Sequence, residues 1–177
     1  LVSCAAPPRD ASIASSPASP YLLIFAGDQD EASSDFLAVV DLRSDSADLG
    51  KAIATTPIGM KSSMPHHMEY ALPAGELLFV NAHHHEQTLL VDVSNARAVR
   101  VAKTFSPPAP LRYPHDYSRT PKGTRLVGFL RSEGPSPGPG ETTSPGNYGG
   151  IAEYTADGVL LRTARAGTHG SKPIRPY

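Results

Sequence analysis

The chain has 177 residues, with 16 Lys and Arg against 17 Asp and Glu and a formal net charge of -1; no basic stripe is left to neutralise phosphates, which excludes a nucleic acid held through its backbone. An apolar content of 40% without a long apolar run excludes a spanning helix, and 18 Pro with 15 Gly exclude a helical protein, because each interrupts helices. The lone cysteine, Cys4, excludes an intramolecular disulfide and any cysteine-built zinc or iron–sulfur cluster within one chain.

In chain order, residues 1–20 read as an address. Leu1-Val2-Ser3-Cys4 resembles the end of a bacterial lipoprotein signal peptide, where small residues precede the cysteine that receives lipid. The charged and apolar regions that would precede it are missing, so the chain is expected to begin inside that peptide. Residues 5–20 are almost entirely Ala, Pro and Ser, a composition that buries no core and behaves as a tether. Cys4 is thus the expected lipidation site, with the protein extracytoplasmic, in the periplasm or on the surface of a bacterium, its membrane partner reached through the lipid anchor.

From Tyr21 onward, short apolar runs of strand length follow one another: Tyr21–Ala26, Phe36–Leu42, Glu76–Val80, Thr88–Val93 and Arg125–Leu130. None has a sustained helical period. His67–Val80 aligns without a gap to His115–Gly128 at an offset of 48 residues, with Pro73, Gly75 and Leu78 matching Pro121, Gly123 and Leu126. The end of the Phe36 strand, Asp41-Leu42, recurs at Asp92-Val93, and Gly150–Tyr154 is a third version. Periods of about 40 to 50 residues with several strands each are the signature of β-propeller blades. The expected fold is therefore all-β, a β-propeller, with blades over about 21–57, 58–106 and 107–166. One blade is written as an inner strand His67–Leu72, a second strand Glu76–Asn81, a loop His83–Gln87, a third strand Thr88–Val93 and an outer strand Ala98–Phe105; the first blade lacks its inner strand. Two to three four-stranded blades do not close a ring, so the chain is expected to be a fragment.

Blade topology also places the histidines. Strands alternate in direction, so inner-strand entries and the loops between second and third strands share one face of the disc. His66, His67 and His115 lie at inner-strand entries and His83, His84 and His85 in such a loop, which puts six of the seven histidines on one face. Converging neutral imidazoles make a metal site suited to copper, zinc, iron or nickel. His67 and His115 are the paired element. His66 takes the place of Pro114 and joins them only if the backbone turns there, since successive strand residues face opposite sides. His84, Glu69 and Asp116 are further candidates, as ligands or as groups that orient an imidazole. Two loops lie on the same face. The Gly- and Pro-rich insertion at 132–147 reads as a surface insertion or a lid, and Asp28–Glu31 as a solvated acidic turn or a cation site.

Met64-Pro65-His66-His67-Met68-Glu69-Tyr70, Thr88–Val93, Tyr113-Pro114-His115-Asp116-Tyr117 and Gly149–Tyr154, in that order, resemble successive motifs of the selenium-binding protein family, from about Phe36 to Ala166. The resemblance implies a seven-bladed propeller and a copper-dependent methanethiol oxidase, converting methanethiol, oxygen and water to formaldehyde, hydrogen sulfide and hydrogen peroxide. It implies copper at His66, His67 and His115, and a small thiol as substrate. Two departures stand out. Tyr113 occupies a position where many relatives carry another histidine, and the cysteine segment associated with selenium attachment has no counterpart. With the remaining blades missing, the fragment is expected to carry part of the site. A non-catalytic, surface-anchored propeller that offers this face to a protein or small ligand is the alternative, because the fold hosts many functions.

Overall fold

A computed structural model describes residues 19–70, 77–132 and 149–166, together with the backbone of 168–169 and 172–173. Cys4, most of the tether and residues 133–147 of the insertion lie outside the described residues. The β-branched and apolar runs form antiparallel strands, and a single 3-10 turn, His83–His85, is the helical element among the described residues.

Strands β1 (Tyr21–Ala26), β2 (Phe36–Asp41) and β3 (Ala52–Pro57) make a three-stranded sheet in that order. A four-stranded sheet follows, from β4 (Pro65–Met68), β5 (Leu77–Ala82), β6 (Gln87–Asp92) and β7 (Arg100–Phe105). The next four-stranded sheet comprises β8 (Leu111–Arg119), β9 (Arg125–Ser132), β10 (Gly150–Tyr154) and β11 (Leu160–Arg165), and β12 (Thr168–His169) pairs with β13 (Lys172–Pro173). Every ladder joins strands adjacent in sequence, so each sheet is a meander.

The three large sheets stack, and the middle one is apolar on both faces. Leu78, Val80, Leu89 and Val91 pack with Leu23, Leu37 and Val39 from the first sheet and with Ile58, just past the end of β3. Phe79 and Leu90, alternating with them, pack with Leu111, Tyr117, Val127, Phe129, Ala152 and Tyr154 from the third. This two-sided burial is why β5 and β6 read as continuous apolar runs without alternation. Each such side chain removed from water contributes roughly 1.5–3 kcal/mol. On the outer sheets one face stays open: Leu22 and Ile24 of β1 are exposed, and all of β11 is.

Acidic residues close the strand ends. Asp41 accepts from the Arg43 backbone N–H, the Arg43 guanidinium and the Ser46 hydroxyl. Asp92, its counterpart in the repeat, accepts from the Ser94 N–H and hydroxyl and from Arg100. Because that turn continues through Ala98, whose N–H donates to the Asn95 carbonyl at 2.9 Å, the ladder of β7 starts at Arg100 and not at Ala98. In the Asp28–Glu31 turn the carboxylates of Asp28 and Asp30 accept the loop's own N–H groups, from Ser33 and Ala32. The inner strands also begin earlier than expected, β4 at Pro65 and β8 at Leu111, which puts His115 in mid-strand rather than at its entry.

Candidate metal centre

The histidines are aimed by two β-bulges. Along β4 the register passes from Pro65 opposite Ala82 to Met68 opposite Val80, so His66 and His67 together face Asn81. Along β8 it passes from Pro114 opposite Phe129 to Asp116 opposite Gly128, which leaves His115 as the extra residue. A bulge breaks strict alternation and re-aims a side chain, so His66 can join His67 although the strand starts before both. Each bulge is preceded by the same backbone device. Met64 (φ 50°) and Tyr113 (φ 58°) both adopt the left-handed conformation, and each is followed by Pro and then His. Side chains rarely sit there, and such strain persists only where surrounding contacts over-determine it. The backbone thus pairs His66, not His67, with His115, at an offset of 49 residues. The gap-free sequence match at 48 hides the shift, because it cannot register the extra bulged residue.

The three imidazoles converge. Ring centroids lie 4.3 Å apart for His66 and His67, 4.7 Å for His66 and His115, and 4.2 Å for His67 and His115. One ligand nitrogen from each lies within 4.8 Å of those of the other two, so this buried-to-exposed histidine group could hold a metal ion. His67 Nε2 is buried and has no hydrogen-bond partner among the described residues, which fits a lone pair reserved for a metal. Burial, and then the neighbouring His66 charge, hold the pKa of His67 below its usual value; Asp116 opposes them. For His115, burial first and the other imidazoles next push it down to about 4. Both rings are therefore neutral near pH 7, the form a metal requires.

The other candidates separate into near and far. Asp116 is the carboxylate whose field reaches His67 and His115. Glu69 is committed elsewhere: its buried carboxylate accepts from the Phe79 N–H at 2.8 Å, pairs with Arg119 Nε at 2.6 Å and lies 2.7 Å from Arg125 Nε. Arg125 is 1% exposed, so Glu69 supplies its countercharge in the interior. His84 stays exposed with Nδ1 3.1 Å from the Ser62 carbonyl oxygen, and His85 Nε2 lies 2.8 Å from that of Lys61. The ring that does come alongside is His83, stacked 5.4 Å from His66 and edge-on at 5.9 Å to His115. Burial and the other imidazoles lower its pKa as well. Beside the centre lies a groove of about 200 Å³ lined by Phe25, Pro65, His66, His67, Met68 and Tyr70.

Asn81 is a contributor that the sequence reading does not name. His83 lies on the histidine face in the same loop as His84 and His85, and loop residues have no periodicity to say which one turns inward. Asn81 had a signal, a polar residue closing the apolar run Leu77-Leu78-Phe79-Val80.

No family model matches the chain, and no curated protein sequence matches it. A solved structure does. A hypothetical selenium-binding protein from Sulfolobus tokodaii superposes with a TM-score of 0.55 at 18% identity, over 73% of this chain and 30% of that one. At this identity the likeness concerns the fold: an all-β array of antiparallel sheets shared with part of a selenium-binding protein. This chain spans 30% of that protein's length.

Proposed function

We propose that the chain is part of a copper-dependent oxidase of small thiols, its three large sheets being blades of a β-propeller and His66, His67 and His115 holding the metal. The observation that carries this reading is the convergence of the three imidazoles, with His67 Nε2 buried and without a hydrogen-bond partner. Imidazole nitrogen suits copper, zinc, iron and nickel, and copper binds most tightly among the divalent first-row metals. Among these choices copper and a thiol are what the motif resemblance implies, and the selenium-binding neighbour supports only the fold that goes with it. Copper held there would supply a redox centre that accepts electrons from a bound thiol and passes them to oxygen. The protein's own part is binding and orientation. The two bulges fix the rings before any ligand arrives, and their depressed basicity keeps nitrogen lone pairs available at neutral pH. Phe25, Pro65 and Met68 give the adjoining groove apolar walls that suit the alkyl part of a small thiol. On the same reading Cys4 anchors the protein to a membrane outside the cytoplasm, supported by the lipobox-like residues.

The test is copper content by mass spectrometry on the full-length protein, loaded and dialysed, beside a His67→Ala/His115→Ala variant. About one copper per chain, lost in the variant, is the expected result, with methanethiol consumption and peroxide release falling in parallel. Copper retained by the double variant would overturn the site. Copper bound without thiol turnover would leave a non-catalytic propeller that binds metal.

A further inference from the structure

We infer that Asn81 is the positioning residue of the histidine site: its carboxamide ties the β4 bulge carrying His66 and His67 to the β8 bulge carrying His115. The inference rests on reading those histidines as ligands. A bulge turns backbone N–H groups out of the ladder, and buried donors left unmet are costly. Here the residue opposite the bulge meets them with its side chain. Asn81 Oδ1 accepts from the N–H of His67 at 2.8 Å and of His66 at 3.2 Å. Its Nδ2 donates to the Pro114 carbonyl at 3.2 Å, on the peptide that leads into His115. An asparagine side chain is suited to this because it accepts at one end and donates at the other. Asn81 is fully buried, and its backbone is locked opposite Thr88 in the β5–β6 ladder, so the brace stands on a rigid strand. His66 and His67 belong to one sheet and His115 to the next, and Asn81 spans that gap.

Isosteric Asn81→Leu removes both arms of the brace, whereas Asn81→Asp keeps the acceptor and loses the donor to Pro114. Thr88→Val is the control: it cuts the 3.0 Å link between the Thr88 and Tyr117 hydroxyls, which joins the same two sheets without touching either bulge. The measurements on full-length protein are copper affinity by competition titration, the electron paramagnetic resonance spectrum of bound copper, and amide hydrogen exchange at His66 and His67 in metal-free protein. Asn81→Leu is expected to weaken copper binding about 10- to 100-fold, to alter the spectrum, and to speed exchange at both amides. Thr88→Val is expected to leave all three readouts in place while lowering the melting temperature. A folded Asn81→Leu variant with wild-type affinity and spectrum overturns the inference, as does an equal loss of affinity in Thr88→Val. Should Asn81→Leu not fold, Asn81→Asp decides: weakened affinity with slow exchange at His66 and His67 supports the brace, and unchanged affinity overturns it. Failure of the metal reading looks different. Wild-type protein would then bind no copper, while faster exchange in Asn81→Leu alone would still mark the brace.

Discussion

His115 is 3% exposed and surrounded by His66, His67 and His83, so protonating it in the folded state is unfavourable. Its pKa falls from 6.5 to about 4, and the sign of the linkage follows. Between those two values the unfolded chain binds a proton that the folded chain refuses, so stability is full above pH 6.5, declines as pH falls towards 4, and levels off below. His67 and His83 shift in the same direction and add to the decline. The carboxylates act in a separate window: the Arg43 guanidinium holds Asp41 well below its ordinary 3.8, so its stabilising contribution is present above that value and is lost under more acidic conditions. Urea denaturation of metal-free protein from pH 4 to 8 is expected to show the histidine slope, and His115→Gln to flatten it. An unchanged slope in that variant would remove His115 from the explanation. At this scale the pairing of His67 with His115 was legible in their spacing, while His66 was legible only as a residue that joins them if the backbone turns. The commitment of Glu69 to Arg119 and Arg125 was not, because those partners lie about 50 positions away and meet only through packing.

Strands were readable as elements because apolar and β-branched runs between Gly and Pro have few alternatives. Bulges were not. One extra residue leaves hydrophobic composition unchanged yet decides which way every following side chain points. The same local crowding governs β10. A Cβ on Gly150 would lie 2.5 Å from Leu111 Cδ2 and 2.8 Å from the Ala164 carbonyl oxygen, and the second contact is backbone that cannot step aside. Gly150→Ala should therefore destabilise the protein by about 1–3 kcal/mol through overpacking. Chemical denaturation measures this directly. A neutral result would show that β11, exposed along its whole length, shifts away without cost.

Two cores, one on each face of the middle sheet, make substitutions separable across the whole molecule. Phe79 packs against β8 through Leu111 and Tyr117, on the side that carries His115, whereas Leu37 belongs to the core shared with the first sheet. Truncating either to Ala should cost about 3–5 kcal/mol for Phe79 and 2–5 kcal/mol for Leu37. Their effects on metal binding should differ. On the proposed copper reading, Phe79→Ala is expected to weaken copper affinity by loosening the second sheet against the third, and Leu37→Ala to leave it close to wild type. Equal losses would mean that affinity follows global stability and not the spacing of β4 and β8.

By itself, the sequence determined an all-β chain with a repeat near 50 residues, and it marked the histidines that gather. Those properties are carried by local composition and by order along the chain. Only the tertiary structure decided that His66 turns to the same side as His67, that His83 and not His84 stands beside them, and that Asn81 holds the two bulges together. The physical reason is register: each outcome depends on one residue of slip between strands and on contacts between sheets, and neither leaves a trace in the hydrophobic pattern of a single segment.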